Sequence, residues 1–267
     1  MGEKKYTHGH HESVLRSHRW RTAANSAAYL LPHLKPGLRL LDIGSGPGTI
    51  TAELAELVAP GQVVALEIND AAAELTRAEL ARRDLVGVEV VVGDVHAMEF
   101  EDDEFDVVHA HQVLQHVADP VRALGEMARI TKPGGVVAAR DSDYAAKIWH
   151  PSFPELDRWL ELYDVAARRN GGEPNAGRHL LAWSHAAGLD TAVVTTSTWS
   201  FATPEDRAYW GGMWADRIKH SALATQLVDE GLSTTDELEA ISAAWSRWAA
   251  DEDGFFSVLH GELIAHP

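Results

Sequence analysis

One glycine-rich turn and three acidic residues carry the chemistry that can be read first from this chain. "LLDIGSGPGTI", residues 40–50, is an apolar run ending in Asp42 and followed by Gly44, Gly46 and Gly48 at alternate positions. Glycines permit positive φ and leave no Cβ between backbone and ligand, so such a turn can approach a nucleotide-like molecule closely. Asp42 can accept hydrogen bonds from a ligand amine or fix the N–H groups of the turn itself. Glu67 closes the next apolar run, "QVVALEI", and Asp94 closes "VEVVVGD". The competing reading of these acids is a set of solvated strand ends.

The elements that must position them alternate. Strands are expected at 38–44, 62–68, 88–94, 105–111 and 134–140, each a short apolar run of buried type. Helices fit between them at 49–58, 70–83 and 119–131, with a shorter one at 112–117. Ahead of them, residues 13–31 show a rough helical periodicity ended by Pro32 and the "KPG" at 35–37. Strands separated by helices imply right-handed βαβ units and an open parallel sheet covered on both faces. In such a sheet a ligand binds beyond the carboxyl ends of the strands, where the turn at 44–48 falls. Beyond residue 141, helices are expected at 153–170, 176–187, 204–219 and 234–250, and strands at 191–201 and 255–265. One domain over 1–267 is expected, with an amino-terminal lid at 1–35, a cofactor-binding core at 36–142 and an acceptor-pocket region at 143–267.

The dinucleotide fingerprint requires G-x-G-x-x-G, and Gly44-Ser45-Gly46-Pro47-Gly48 brings the third glycine one position early. That spacing, after Asp-Ile, resembles the first motif of class I S-adenosylmethionine-dependent methyltransferases. "GDVHAMEF" (93–100), "FDVVHAHQVLQHVADP" (105–120) and "ARITKPGGVV" (128–137) resemble later motifs of that family, in the same order, and the pattern is most similar to the ubiquinone/menaquinone-biosynthesis type. The resemblance implies an α/β, Rossmann-like, mostly parallel seven-stranded sheet with helices on both faces. Its last strand, at 255–265, would be antiparallel, and 191–201 would be the sixth. It implies S-adenosyl-L-methionine as cofactor and S-adenosyl-L-homocysteine as product. Asp42, Gly44, Ser45 and Gly46 would form the loop around the cofactor, and Glu67 would take both ribose hydroxyls. Ile68 would pack on adenine, with Asn69 an acceptor near the ribose. Gly93, Asp94 and Val95 would meet the adenine edge, and His111 and Gln112 would lie near the methionine amino group.

Methyl transfer from a sulfonium is an in-line displacement that needs alignment and exclusion of water, with a base only where the nucleophile must lose a proton. His11, in the cluster of His8, His10 and His11, and His116 are the candidates for that base. The amino-terminal cluster lacks Asp, Glu or Cys at ligand spacing, so no metal is expected, and a polar lid is its simpler role. Arg140 and Tyr144 follow the fifth strand, at the expected mouth of the acceptor pocket. The chain holds nine tryptophans. Trp210 and Trp214 stand at i and i+4, a spacing that serves helix packing or an aromatic pocket wall. A pocket with such walls would suit a quinone, polyketide, indole or terpenoid.

Composition narrows the field. The net charge of −17 opposes a phosphate backbone, so no nucleic-acid partner is expected and a small-molecule methyl acceptor is. The absence of cysteine excludes disulfides and thiolate chemistry. Neither a signal-peptide core nor an apolar run of the ~20 residues that span a bilayer occurs, so a cytoplasmic protein, monomer or homodimer, without a membrane partner is expected. Two other readings share the turn: a nicotinamide-dependent oxidoreductase and a non-catalytic S-adenosylmethionine-binding regulator.

Overall fold

The structure, a computed structural model, describes residues 18–267, which divide into two compact units. One comprises Arg21–Ser142, Ala176–Ser197 and His260–Pro267; the other comprises Asp143–Asn175 and Thr198–Leu259 with residues 18–20.

The first unit is the sheet. Its strands are β1 (Arg39–Ile43), β2 (Gln62–Glu67), β3 (Glu89–Val92), β4 (Phe105–His111) and β5 (Thr131–Ser142), all parallel. The last strand, β8 (Phe255–Ala265), runs antiparallel to β5, with Arg140 opposite Glu262. The order β3-β2-β1-β4-β5-β8 reverses direction of growth at β1, the switch point beside which the glycine turn lies. The expected antiparallel last strand is therefore present, and β7 (Val193–Phe201) pairs with it. The sheet has eight strands rather than seven, because a three-residue strand, β6 (Ile148–His150), also pairs with β8 through residues 255–257.

Successive residues of a strand face opposite sides, and here both sides are apolar. Leu40, Val63, Val107 and Ala138 meet Ala27 and Leu30 on one face, with Leu54 and Val58 of helix α2 (Thr49–Val58). On the other face, Leu41, Val64, Val108 and Val137 meet Leu124, Met127 and Ile130 of helix α4 (Pro120–Ile130). Each buried valine, leucine, isoleucine or methionine among them contributes about 1.5–3 kcal/mol. Helix starts follow their caps: Asn69 accepts from Ala72 N–H to begin α3 (Asp70–Arg82), and Asp119 caps α4 ahead of Pro120.

The helix expected across 13–31 is not continuous over its described part. Thr22 and Asn25 form a capping box that starts a separate short helix, α1 (Ala23–Ser26), and a 3-10 turn follows at Leu31–His33.

The second unit is helical: α5 (Pro154–Arg169), α7 (Pro204–His220), α8 (Ala222–Asp229) and α9 (Thr235–Ala250), with α6 (Leu180–Ala186) belonging to the sheet unit. Its core is aromatic. Trp159 meets Trp214 at 4.6 Å and Trp245 at 5.0 Å, both edge-on, and Trp210 stacks on Phe201 at 4.2 Å. Gly211 lets α7 and α9 approach, since a Cβ there would stand 2.7 Å from the Ala249 Cβ. Among the described residues no helix is long and apolar enough to cross a membrane.

Candidate active site

The turn after β1 can be made by glycine alone. Gly44, Gly46 and Gly48 have φ of 68°, 55° and 82°, a region that other residues rarely enter. A Cβ on Gly44 would lie 2.5 Å from Val113 Cγ2. The turn is fastened on three sides. Gly44 N–H donates to the Leu66 carbonyl at 2.8 Å, Thr76 Oγ1 donates to the Gly46 carbonyl at 2.8 Å, and Gly46 N–H donates to the Glu67 carboxylate at 2.5 Å. Ser45 Oγ lies 2.8 Å from Thr76 Oγ1, so Ser45 is committed to α3.

Asp42 is buried and both its oxygens are engaged, one by Thr51 Oγ1 at 2.5 Å and the other by His109 Nδ1 at 2.7 Å. Its carboxylate therefore ties β1 to α2 and β4, beneath the turn. Glu67 stands at the end of β2, 8% exposed. Burial pushes its carboxyl above the usual carboxylate range, while the N–H groups of Gly46 and Ile68 pull the other way. Ile68, next along, is 57% exposed, a large apolar side chain left uncovered beside that acid. Asn69 spends its carbonyl oxygen on the α3 cap, 2.9 Å from Ala72 N. At the third strand end Gly93 N–H donates to the Glu67 carbonyl at 2.9 Å. Asp94 accepts from His96 N–H at 3.0 Å with its carboxylate half exposed, and Val95 is buried.

Beyond β4 the alternation of the strands places a polar row on one sheet face. Register sets Asp42 beside His109, and then His111 beside Arg140 beside Glu262. Burial, helped by Arg21 and Arg140, holds His111 well below the ordinary histidine range. Gln112 has a left-handed backbone, φ 54°, unusual for a residue with a side chain. Its Nε2 donates to His260 Nε2 at 2.9 Å and its Oε1 accepts from Arg21 at 2.6 Å. His116 Nε2 accepts from Gln115 Nε2 at 3.0 Å, and the Gln115 oxygen accepts from Ser142 Oγ at 2.6 Å. That fixes the imidazole with its proton on Nδ1, and burial lowers its pKa to about 3. At neutral pH His116 is a neutral donor with its one lone pair already in use.

The expected acceptor-side residues are all buried. Arg140 lies within the sheet, 1% exposed, donating to Glu262 at 3.1 Å and Ser197 at 3.2 Å. Tyr144 is buried and stacks on Tyr163 at 3.9 Å. Trp210 and Trp214 are buried in the aromatic core of the helical unit. His11 lies outside the described residues. The structure thus brings together Asp42, the turn, Glu67, Asp94 and Val95 at three successive strand ends. Sequence reasoning did not single out Thr51, Thr76, Glu262 or His260. The last two could have been found from strand register, by counting inward from the end of β8.

The methyltransferase domain family matches residues 34–188. An uncharacterised methyltransferase of Schizosaccharomyces pombe is 32% identical over 271 residues, covering 97% of this chain and 95% of its own. The ubiquinone/menaquinone biosynthesis C-methyltransferase of Idiomarina loihiensis is 39% identical over 106 residues, covering 39% of this chain and 42% of its own. Among solved structures, phosphoethanolamine N-methyltransferase 2 of Haemonchus contortus shares the fold, with a TM-score of 0.56 and 18% identity over 90% of this chain and 52% of that one. This chain belongs to the methyltransferase domain family. It is an S-adenosylmethionine-dependent methyltransferase, which decides among the readings that the turn alone left open.

The residues present fit that cofactor. A turn that a Cβ would obstruct, a strand-end carboxylate and an uncovered isoleucine offer a close backbone, a hydroxyl acceptor and an apolar face. No lysine or arginine occurs at 42–48, 67–69 or 93–95, where a dinucleotide's phosphates would call for positive charge. Three acids there suit a cationic sulfonium instead.

Proposed function

We propose that this methyltransferase acts on a small, hydrophobic or aromatic metabolite, with the cofactor held along the carboxyl ends of β1, β2 and β3. When bound, S-adenosylmethionine supplies an electrophilic methyl on sulfur. The chain's own residues bind and orient. Gly44, Ser45 and Gly46 offer a close backbone, with Asp42 bracing them from below. Glu67 accepts from the ribose hydroxyls, Ile68 covers one face of the adenine, and Asp94 with Val95 N–H reads its edge. His111 and Gln112 border the same strand ends. Catalysis rests on proximity and exclusion of water, because His116 is held neutral with its lone pair occupied.

The observation that carries the reading is Glu67, a largely buried carboxylate hydrogen-bonded to the Gly46 N–H of the turn. Hydrogen bonds to a charged group contribute about 1.5–3 kcal/mol. Glu67→Ala should therefore weaken S-adenosylmethionine binding roughly 10- to 100-fold by calorimetry. Binding equal to wild type would remove Glu67 from the site. The aromatic core of the helical unit supports an aromatic or hydrophobic acceptor, and turnover of methyl-labelled cofactor against a metabolite panel tests it.

A further inference from the structure

The helical unit buries an amine that the reading above does not use. Lys147 follows the 3-10 turn Tyr144–Ala146 and is 6% exposed. Its Nζ stands 2.9 Å from the Tyr144 ring centroid, with the rings of Trp159, Tyr163 and Trp214 at 5.3, 5.9 and 5.9 Å. Among the described residues, Nζ has no hydrogen-bond acceptor. Arg217, also buried, packs its guanidinium over Trp214 at 4.6 Å. Asp143, whose charge acts on Nζ, accepts from the Ala146 N–H of the turn at 3.2 Å.

A buried amine without an acceptor is costly, and packing alone would favour methionine at this place. The four rings offset part of that cost through their π faces. Desolvation, with Arg217 adding to it and Asp143 opposing, pushes the amine well below the ordinary lysine range. Nζ thus stands inside aromatic walls, beside a second positive charge and without an anion to accept its protons.

We propose that Lys147 and its ring box bind an aromatic acid, a ligand whose ring lies among the aromatic side chains and whose carboxyl or phenol oxygen meets Nζ. This rests on the reading that the acceptor is a small aromatic metabolite, and it narrows that class to one bearing an acidic oxygen. A carboxylate arrives already ionised, so no covalent bond is made or broken, and its oxygen accepts a hydrogen bond from the Nζ ammonium. The resulting ammonium–oxyanion pair gives Nζ the acceptor it lacks. Arg217 favours the same charge on the ligand.

The test uses 2-naphthoate and benzoate as probes, with 2-naphthamide and benzamide as neutral isosteres, titrated by tryptophan fluorescence and by calorimetry. The acids should bind at least tenfold more tightly than their amides. Lys147→Met should abolish that difference and raise the melting temperature. Lys147→Gln serves if circular dichroism shows the methionine variant unfolded. Equal affinity for acid and amide, no binding of any probe, or a preference that survives in the variant overturns the proposal. S-adenosylmethionine is titrated into wild type alongside. A failure there strikes the cofactor reading and leaves the acid-over-amide result to stand or fall alone.

Discussion

The sheet unit and the helical unit bury side chains of opposite character. Beneath its turn the sheet unit buries Asp42, His109, Arg140 and Glu262, each with a hydrogen-bonded partner. The helical unit buries Trp159, Trp214, Trp245 and Trp248, whose main contacts are other rings. The two kinds of interior obey different rules. A polar atom in a low-dielectric interior must meet a particular partner at a particular distance, so one wrong residue is costly. Rings can meet edge-on or face-on over a range of distances, so many sequences pack equally well. The first kind of interior leaves the sharper pattern in the sequence.

The contrast can be broken most forcefully at Trp159. Its replacement by alanine should cost about 3–5 kcal/mol of unfolding free energy in urea, as large aromatic truncations do. Trp159→Phe should recover most of that loss. A phenylalanine variant as unstable as the alanine one would show a requirement for particular geometry that the contrast denies. Next in size stands Glu67→Ala, whose loss should appear in cofactor affinity more than in stability.

The third test concerns pH. Asp141 is fully buried, and burial pushes its carboxyl up to about 7 from an ordinary value near 4. The folded state therefore holds that proton more tightly than the unfolded chain. The contribution to stability is complete below about pH 4 and is lost as pH rises through about 7. Asp141→Asn, neutral at every pH, should gain melting temperature relative to wild type between pH 5 and pH 8. Parallel curves for the two proteins would contradict the shift. Smallest is Asn69→Ala, which should cost about 1 kcal/mol of stability through the lost cap of α3. Its effect on S-adenosylmethionine affinity should be far below that of Glu67→Ala, and a comparable loss would return Asn69 to the ribose.

The sequence made much of this legible where local rules operate. β4 and β8 fall at the residues expected, and so does α2 between its glycine and its proline. β6 escaped notice because three residues are too few to show alternation. α8 escaped because Ser221 alone separates it from α7, and the apolar spacing gives no warning of the change in direction. In the site, Glu67 and Asp94 were visible as acids closing apolar runs. Their surroundings were not, because a partnership such as Arg140 with Glu262 joins residues 122 positions apart and exists only once the strands are in register. Arg140 reads as a loop residue for the same reason: β5 extends to Ser142, past the point where its apolar run ends.

That long separation also orders events at the ribosome. β5 is made early, yet the strand that covers its edge arrives 122 residues later, counted from Arg140 to Glu262. Through that interval of synthesis, the outer hydrogen-bonding groups of β5 have no native neighbour, and an open edge is a template for pairing with foreign strands. Nascent chains of this protein should therefore depend on chaperone protection until β8 has been made.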